Sequence, residues 1–60
     1  MKLVSYLRDG HDQLAFLVEN FLYDCDEMHP DLPGSMNMFL NYWDDMYPTA
    51  QTVNAAIVNG

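Results

Sequence analysis

Gln13-Leu14-Ala15-Phe16-Leu17-Val18, set between Asp9-Gly10 upstream and Glu19-Asn20 downstream, decides how the first half of this chain folds. Leu14, Phe16 and Val18 fall on one face of an extended segment and Gln13, Ala15, Leu17 and Glu19 on the other, which is the two-residue period of a strand with an apolar side. An Asp-Gly step supplies the positive φ angles that a tight hairpin requires, and asparagine tolerates the left-handed conformation, so both flanks read as reversals. Upstream, Lys2-Leu3-Val4-Ser5-Tyr6-Leu7-Arg8 is rich in β-branched, aromatic and aliphatic residues and lacks a helix cap; downstream, Phe21-Leu22-Tyr23-Asp24-Cys25 reads as a third short strand. The expectation is a three-stranded antiparallel meander over residues 2–25.

Residues 26–34 hold two prolines and a glycine, which suit neither a ladder nor a helix interior, and are read as a connector. A helix is expected over 35–46, with Ser35 as N-cap and Met36, Phe39, Leu40, Trp43 and Met46 on one stripe. Trp43 is expected to fill the core, so its truncation to alanine is expected to cost about 3–5 kcal/mol. Asp44 and Asp45 would then lie at the negative end of the helix dipole, where they oppose its continuation. Pro48 is expected to end that helix and open a second over 48–58, carrying Ala50, Val53 and Ile57 and closed by Asn59-Gly60. The fold class is therefore α+β: a small three-stranded antiparallel β-meander followed by two short helices, in a single domain.

Charge and size bound the function. The chain has 60 residues, two basic against nine acidic, and a formal net charge of −7. Nucleic-acid binding draws on lysine and arginine to neutralise phosphates, and Lys2 and Arg8 amid nine carboxylates would be repelled instead. No apolar run approaches the roughly 20 residues of a membrane span, and the N-terminal stretch lacks a signal-type apolar core, so a cytoplasmic protein with neither nucleic-acid nor membrane partners is expected. A lone Cys25 excludes an intramolecular disulfide framework and any multi-cysteine metal site. A chain of this length is marginal on its own and has little material for an enclosed catalytic cleft.

The densest polar stretch, Asp24-Cys25-Asp26-Glu27-Met28-His29-Pro30-Asp31, offers clustered oxygens to a hard cation. As a calcium-type loop it fails at its defining positions, with Met28 at the fifth, His29 where glycine is needed and Ser35 where the bidentate glutamate belongs. Cys25 and His29 could pair as thiolate and base, but nothing nearby supplies an oxyanion site. The stretch is read as a solvated acidic loop. His11 reads as a solvated residue beside a turn, Ser5 lacks a triad context, Ser35 is best used as a cap, and the isolated Gly10, Gly34 and Gly60 make no phosphate loop. No catalytic, cofactor-binding or metal-ligating residue is assigned.

Apolar content points instead to a partner. Leu3 and Leu7 alternate with Val4 and Tyr6, and Leu17 joins Ala15 opposite Phe16, so the strands carry apolar residues on both faces. One face can pack on helices; the other, left open, is expected to be a docking layer.

The order of elements and these residues resemble the N-terminal segment of the fumarylacetoacetate hydrolase family. The resemblance runs through Met1-Lys2-Leu3-Val4-Ser5-Tyr6, the Asp-Gly turn, Leu14-Ala15-Phe16-Leu17-Val18, the turn at Glu19-Asn20, Leu22-Tyr23-Asp24 and the entry Leu32-Pro33-Gly34-Ser35-Met36. It implies the small, non-catalytic leading domain of a longer enzyme whose C-terminal domain carries metal-dependent hydrolysis or decarboxylation of diketo-acid type substrates. Magnesium is implied for that enzyme and no cofactor for this chain, since no residue here matches the family's acidic ligands or catalytic histidine. The stretch Cys25-Asp26-Glu27-Met28-His29-Pro30 departs from the apolar segment such a domain would have there. The partner implied is the catalytic domain of the same protein or another subunit, with homo-oligomer formation left open. The rival reading is a free-standing small acidic interaction module or inhibitor that meets a basic surface, motivated by the net charge.

Overall fold

The computed structural model describes all residues, 1–60. Three strands, β1 (Leu3–Arg8), β2 (His11–Val18) and β3 (Phe21–Asp24), form an antiparallel sheet in the order β1-β2-β3. One turn of helix follows, α1 (Cys25–Met28), then α2 (Met36–Asn41) and α3 (Trp43–Val58). The α+β architecture is the one the sequence pattern implies.

Both hairpins turn where the dipeptides place them. Asp9 and Gly10 have φ of 52° and 86°, and Glu19 and Asn20 have 52° and 72°. Two consecutive left-handed residues match the right-handed twist of the flanking strands. The registers follow: Leu3 faces Phe16, Ser5 faces Leu14 and Tyr23 faces Phe16. Strand alternation therefore puts Leu3, Leu14, Phe16, Val18 and Tyr23 on one side of the sheet. Leu14 and Phe16 are fully buried there with Cys25, Leu32, Phe39 and Ala50, and Leu3, Val18 and Tyr23 pack at the margin.

The connector is held to the sheet. β3 ends at Asp24 opposite Ala15, so the next β3-side amide of β2, that of Leu14, has no strand partner. The Gly34 carbonyl accepts from it at 2.8 Å. A Cβ at Gly34 would stand 3.0 Å from Asp26 Oδ2, so a side chain there would require the Asp26 carboxylate to shift by a few tenths of an ångström. Leu32 is thereby fixed in the core, and Ser35 follows as the N-cap of α2, its Oγ accepting from the Met38 amide at 3.1 Å.

The helices divide differently from the sequence-based expectation of 35–46 and 48–58. The break falls at Tyr42 (φ −120°, ψ 36°), and Pro48 lies inside α3. A straight helix from Met36 to Val58 would run about 34 Å, longer than the 31 Å greatest extent of the molecule. Turning at Tyr42 lets both Phe39 and Ala50 reach the same sheet. Pro48 is exposed and sits early in α3, where it removes only the bond to the Asp44 carbonyl on the solvent side. The break also reverses the electrostatics of Asp44 and Asp45. They occupy the first turn of α3, where negative charge is favourable, instead of the last turn of a preceding helix. Residues 25–28, mostly assigned to the connector, instead close one helical turn, with the His29 amide donating to the Cys25 carbonyl at 3.1 Å.

Trp43 is not in the core. It is 43% exposed, its ring edge-on to Phe39 at 5.4 Å and stacked on Tyr47 at 4.8 Å between centroids. Leu40, expected on the same stripe, is also exposed. Asn54 stands beside Val53 on the inner side of α3 with its Oδ1 buried and unpartnered. Phe39→Ala is expected to cost about 3–5 kcal/mol, enough to abolish a cooperative urea transition, whereas Trp43→Ala is expected to cost under about 2 kcal/mol and keep one, since half of its area is already in water.

Candidate functional site

The face of the sheet turned away from the helices carries Val4, Tyr6, Arg8, Gln13, Ala15, Leu17, Leu22 and Asp24 by alternation. It divides in two. Val4 and Leu17 are half-buried and Leu22 exposed, giving an apolar half. The other half is a polar bridge. Asp24, at the end of β3, is buried and accepts a hydrogen bond from the Tyr6 hydroxyl at 2.5 Å. Arg8 ion-pairs with Asp24 and reaches Glu27 at 3.0 Å. Tyr6 and Arg8 stand on β1 opposite Gln13 and His11, and Asp24 stands on β3 opposite Ala15, so the bridge crosses the central strand diagonally. The expected docking layer is thus only partly apolar.

The bridge sets its own electrostatics. The hydrogen bond to Asp24, then desolvation and the Asp24 charge, raise the Tyr6 phenol above its ordinary range. The hydrogen bond to Glu27, then the Asp24 and Glu27 charges, hold the Arg8 guanidinium still more firmly protonated. Close by, Gln13 Nε2 donates to the Leu14 carbonyl at 3.0 Å and to Asp26 Oδ1 at 3.1 Å. The sequence pattern puts Val4 and Tyr6 on one face of the first strand and Asp24 both in the third strand and in the acidic stretch, without linking Tyr6, Arg8 and Asp24 to one another. Pairing register alone gives no signal for the bridge, since Arg8 stands opposite His11 while Asp24 stands opposite Ala15, whose β1 partner is Val4.

Within the acidic stretch, Cys25 and His29 are held apart in role. The Cys25 side chain is in the core, where burial first, then the Asp26 and Asp24 charges, push its thiol up from 9.0 to about 12. His29 Nδ1 accepts from the Asp31 amide at 3.1 Å. A neutral, enclosed thiol is a poor nucleophile, and its neighbour is occupied with the backbone.

The carboxylates do not fit a magnesium site of their own. Asp24 is committed to Tyr6 and Arg8, Glu27 to Arg8 and Asp26 to Gln13, and no three His, Cys, Asp or Glu side chains converge. No step is derived through a metal in this chain. Ser35 is spent as a cap; His11 and Ser5 are exposed on β2 and β1. No helix is long and apolar enough to cross a membrane.

Two shallow grooves lie on the helical side. One, of about 470 Å³, runs between connector residues 30–35 and the side chains of Met38, Tyr42 and Met46. The other, of about 300 Å³, is bounded by Leu40, Trp43, Asp44 and Asp45, with Tyr42 as the wall common to both. Comparison with protein families, with curated proteins and with solved structures finds no match to this chain.

The buried thiol gives stability a pH dependence with a definite sign. Above about pH 9 the unfolded chain releases the Cys25 proton while the folded chain keeps it until about 12, so the folded state loses ground as pH rises through that window. The raised Tyr6 phenol acts in the same direction at higher pH. Thermal melts are expected to show Tm falling above about pH 9, with a shallower slope in Cys25→Ala. At the bridge, Asp24→Ala is expected to cost about 1–3 kcal/mol in urea unfolding by leaving the Tyr6 hydroxyl without its acceptor and Arg8 with Glu27 alone. The joint change of Asp26→Asn and Glu27→Gln, both at exposed positions, is expected to stay within about 1 kcal/mol of the parent.

Proposed function

We propose that this chain is a non-catalytic docking domain resembling the N-terminal domain of fumarylacetoacetate hydrolase family enzymes, seated against a catalytic domain that supplies magnesium-dependent hydrolysis or decarboxylation of diketo-acid type substrates. The observation that carries the reading is apolar surface. Ten large hydrophobic residues are 40–74% exposed, among them Phe21, Leu22, Leu40 and Trp43, in a chain with nine buried residues. Where such residues adjoin, as Leu40, Tyr42 and Trp43 do, contiguous exposed apolar surface is of the kind that marks an interaction site.

The residues behind the resemblance have coherent structural duties, which supports the same reading. Asp9-Gly10 and Glu19-Asn20 make the hairpin turns. Leu32 seals the core, Gly34 binds the β2 amide and Ser35 caps α2, so the Leu32-Pro33-Gly34-Ser35-Met36 segment is a device for mounting a helix on a sheet. In this reading the chain supports an enzyme by its surface, and none of its side chains acts on the reacting atoms.

A second reading, a free-standing acidic module that meets a basic protein, is favoured by one observation. Of nine carboxylate side chains only Asp24 and Glu27 are ion-paired. Complementary charge would steer such an encounter, with a strong salt dependence.

Sequencing the gene beyond the Gly60 codon and assaying the full-length product separates the two. The docking-domain reading expects a glycine-containing strand and spaced acidic residues downstream, and magnesium-dependent turnover of an acylpyruvate by the full-length protein but not by residues 1–60 alone. A frame closing at Gly60, with salt-sensitive capture of a basic protein by the 60-residue chain, would establish the acidic module instead.

A further inference from the structure

We infer that the α2–α3 corner is the docking surface, and that it receives a basic segment whose aliphatic side chain enters the groove beside Met38 while its arginine or lysine lies over Tyr42 and Trp43. The inference rests on the docking-domain reading and adds which face docks and what chemistry opposes it.

Three observations converge on that corner. Met38, Leu40, Tyr42 and Trp43 are 50%, 58%, 54% and 43% exposed, a closer concentration of apolar and aromatic surface than the sheet's outer face offers. They line two adjoining grooves that share Tyr42, the residue at which the helix breaks, so the bend itself creates the concavity. The rim is acidic and without internal counter-ions: Asp31 borders the larger groove and Asp44 and Asp45 the smaller, and neither of the chain's ion pairs involves them.

Charge selects the occupant. Arg8 is engaged with Asp24 and Glu27, which leaves Lys2 as the only basic side chain outside an ion pair. A second copy would bring a further −7 to an already acidic rim, so self-association through this corner is opposed. A cationic partner gains twice, because a guanidinium over a Trp or Tyr face is attracted by the ring and can also meet the neighbouring carboxylates. The anchor beside Met38 would be aliphatic, since the groove there is walled by Leu32, Pro33 and Met46 as well.

The test is an amide-resolved NMR titration of the 60-residue chain with the peptide acetyl-Leu-Arg-Leu-Arg-Leu-amide, against the same peptide with glutamate in place of arginine. The expected result is shifts confined to residues 31–46, binding that weakens as salt is raised, and no shifts with the acidic peptide. Asp44→Asn with Asp45→Asn is expected to weaken binding about fivefold, while Asp9→Asn with Asp12→Asn, an equal change of net charge in the β1–β2 hairpin, leaves it unchanged. Equal weakening by both pairs, shifts scattered over all acidic loops, or no shifts at all would overturn the inference. Shifts around Val4, Leu17 and Leu22 would also overturn it, yet leave a docking domain that uses its sheet. A reading frame ending at Gly60 would remove the docking-domain reading while leaving peptide binding at the corner intact.

Discussion

The Leu14 amide, donating to the Gly34 carbonyl at 2.8 Å, ties the two halves of the molecule together. β2 is the only strand paired on both sides, and its residues Gln13 to Phe16 are all buried. Where β3 stops, one backbone donor of that strand would be left without a partner inside the protein, at a cost of the order of 1–3 kcal/mol. The connector supplies the acceptor, and in doing so it sets Leu32 into the core and aims Ser35 at the start of α2. Phe39 can lie over Leu14 and Phe16 because the chain enters its helix from that fixed point. A Cβ at Gly34 would come 3.0 Å from the Asp26 carboxylate, a close approach that glycine avoids.

From this one junction the two faces of the sheet acquire different characters. The inner face is a small apolar core shared with single residues from several elements, Cys25, Leu32, Phe39 and Ala50. Such a core cannot absorb the rest of the chain's hydrophobic side chains, which remain at the surface. The outer face is stapled across β2 by Tyr6, Arg8 and Asp24, which join the two edge strands through their side chains as β2 joins them through its backbone. That bridge occupies part of the surface that alternation alone would leave free for a partner. Four of the ten exposed large apolar side chains, Met38, Leu40, Tyr42 and Trp43, collect where the helix turns.

The acidic character of the chain is likewise sorted by structure. Asp24 and Glu27 are consumed by the only arginine, and Asp26 by Gln13. Asp44 and Asp45 complement the start of α3 and still face solvent beside an aromatic pair. The same negative charge therefore steadies the fold at one end and remains available to a partner at the other.

The meander was legible in the sequence because its signals are local. Asp9-Gly10 and Glu19-Asn20 define the turns, and the alternation of Leu14, Phe16 and Val18 selects the inner face. The cap at Ser35 and the burial of Phe39 and Ala50 were legible for the same reason, as short-range patterns with one physical meaning. What only the tertiary structure decided is where the helix breaks, which stripe residues leave the core, and which carboxylate is buried. A helical stripe records the facing of side chains along one straight axis. It holds no information that the chain turns at Tyr42, so on the pattern alone Pro48 reads as the break and Trp43 as core. The acceptor role of Asp24 was not legible because it depends on a tyrosine and an arginine two strands away, which only the assembled sheet brings within reach.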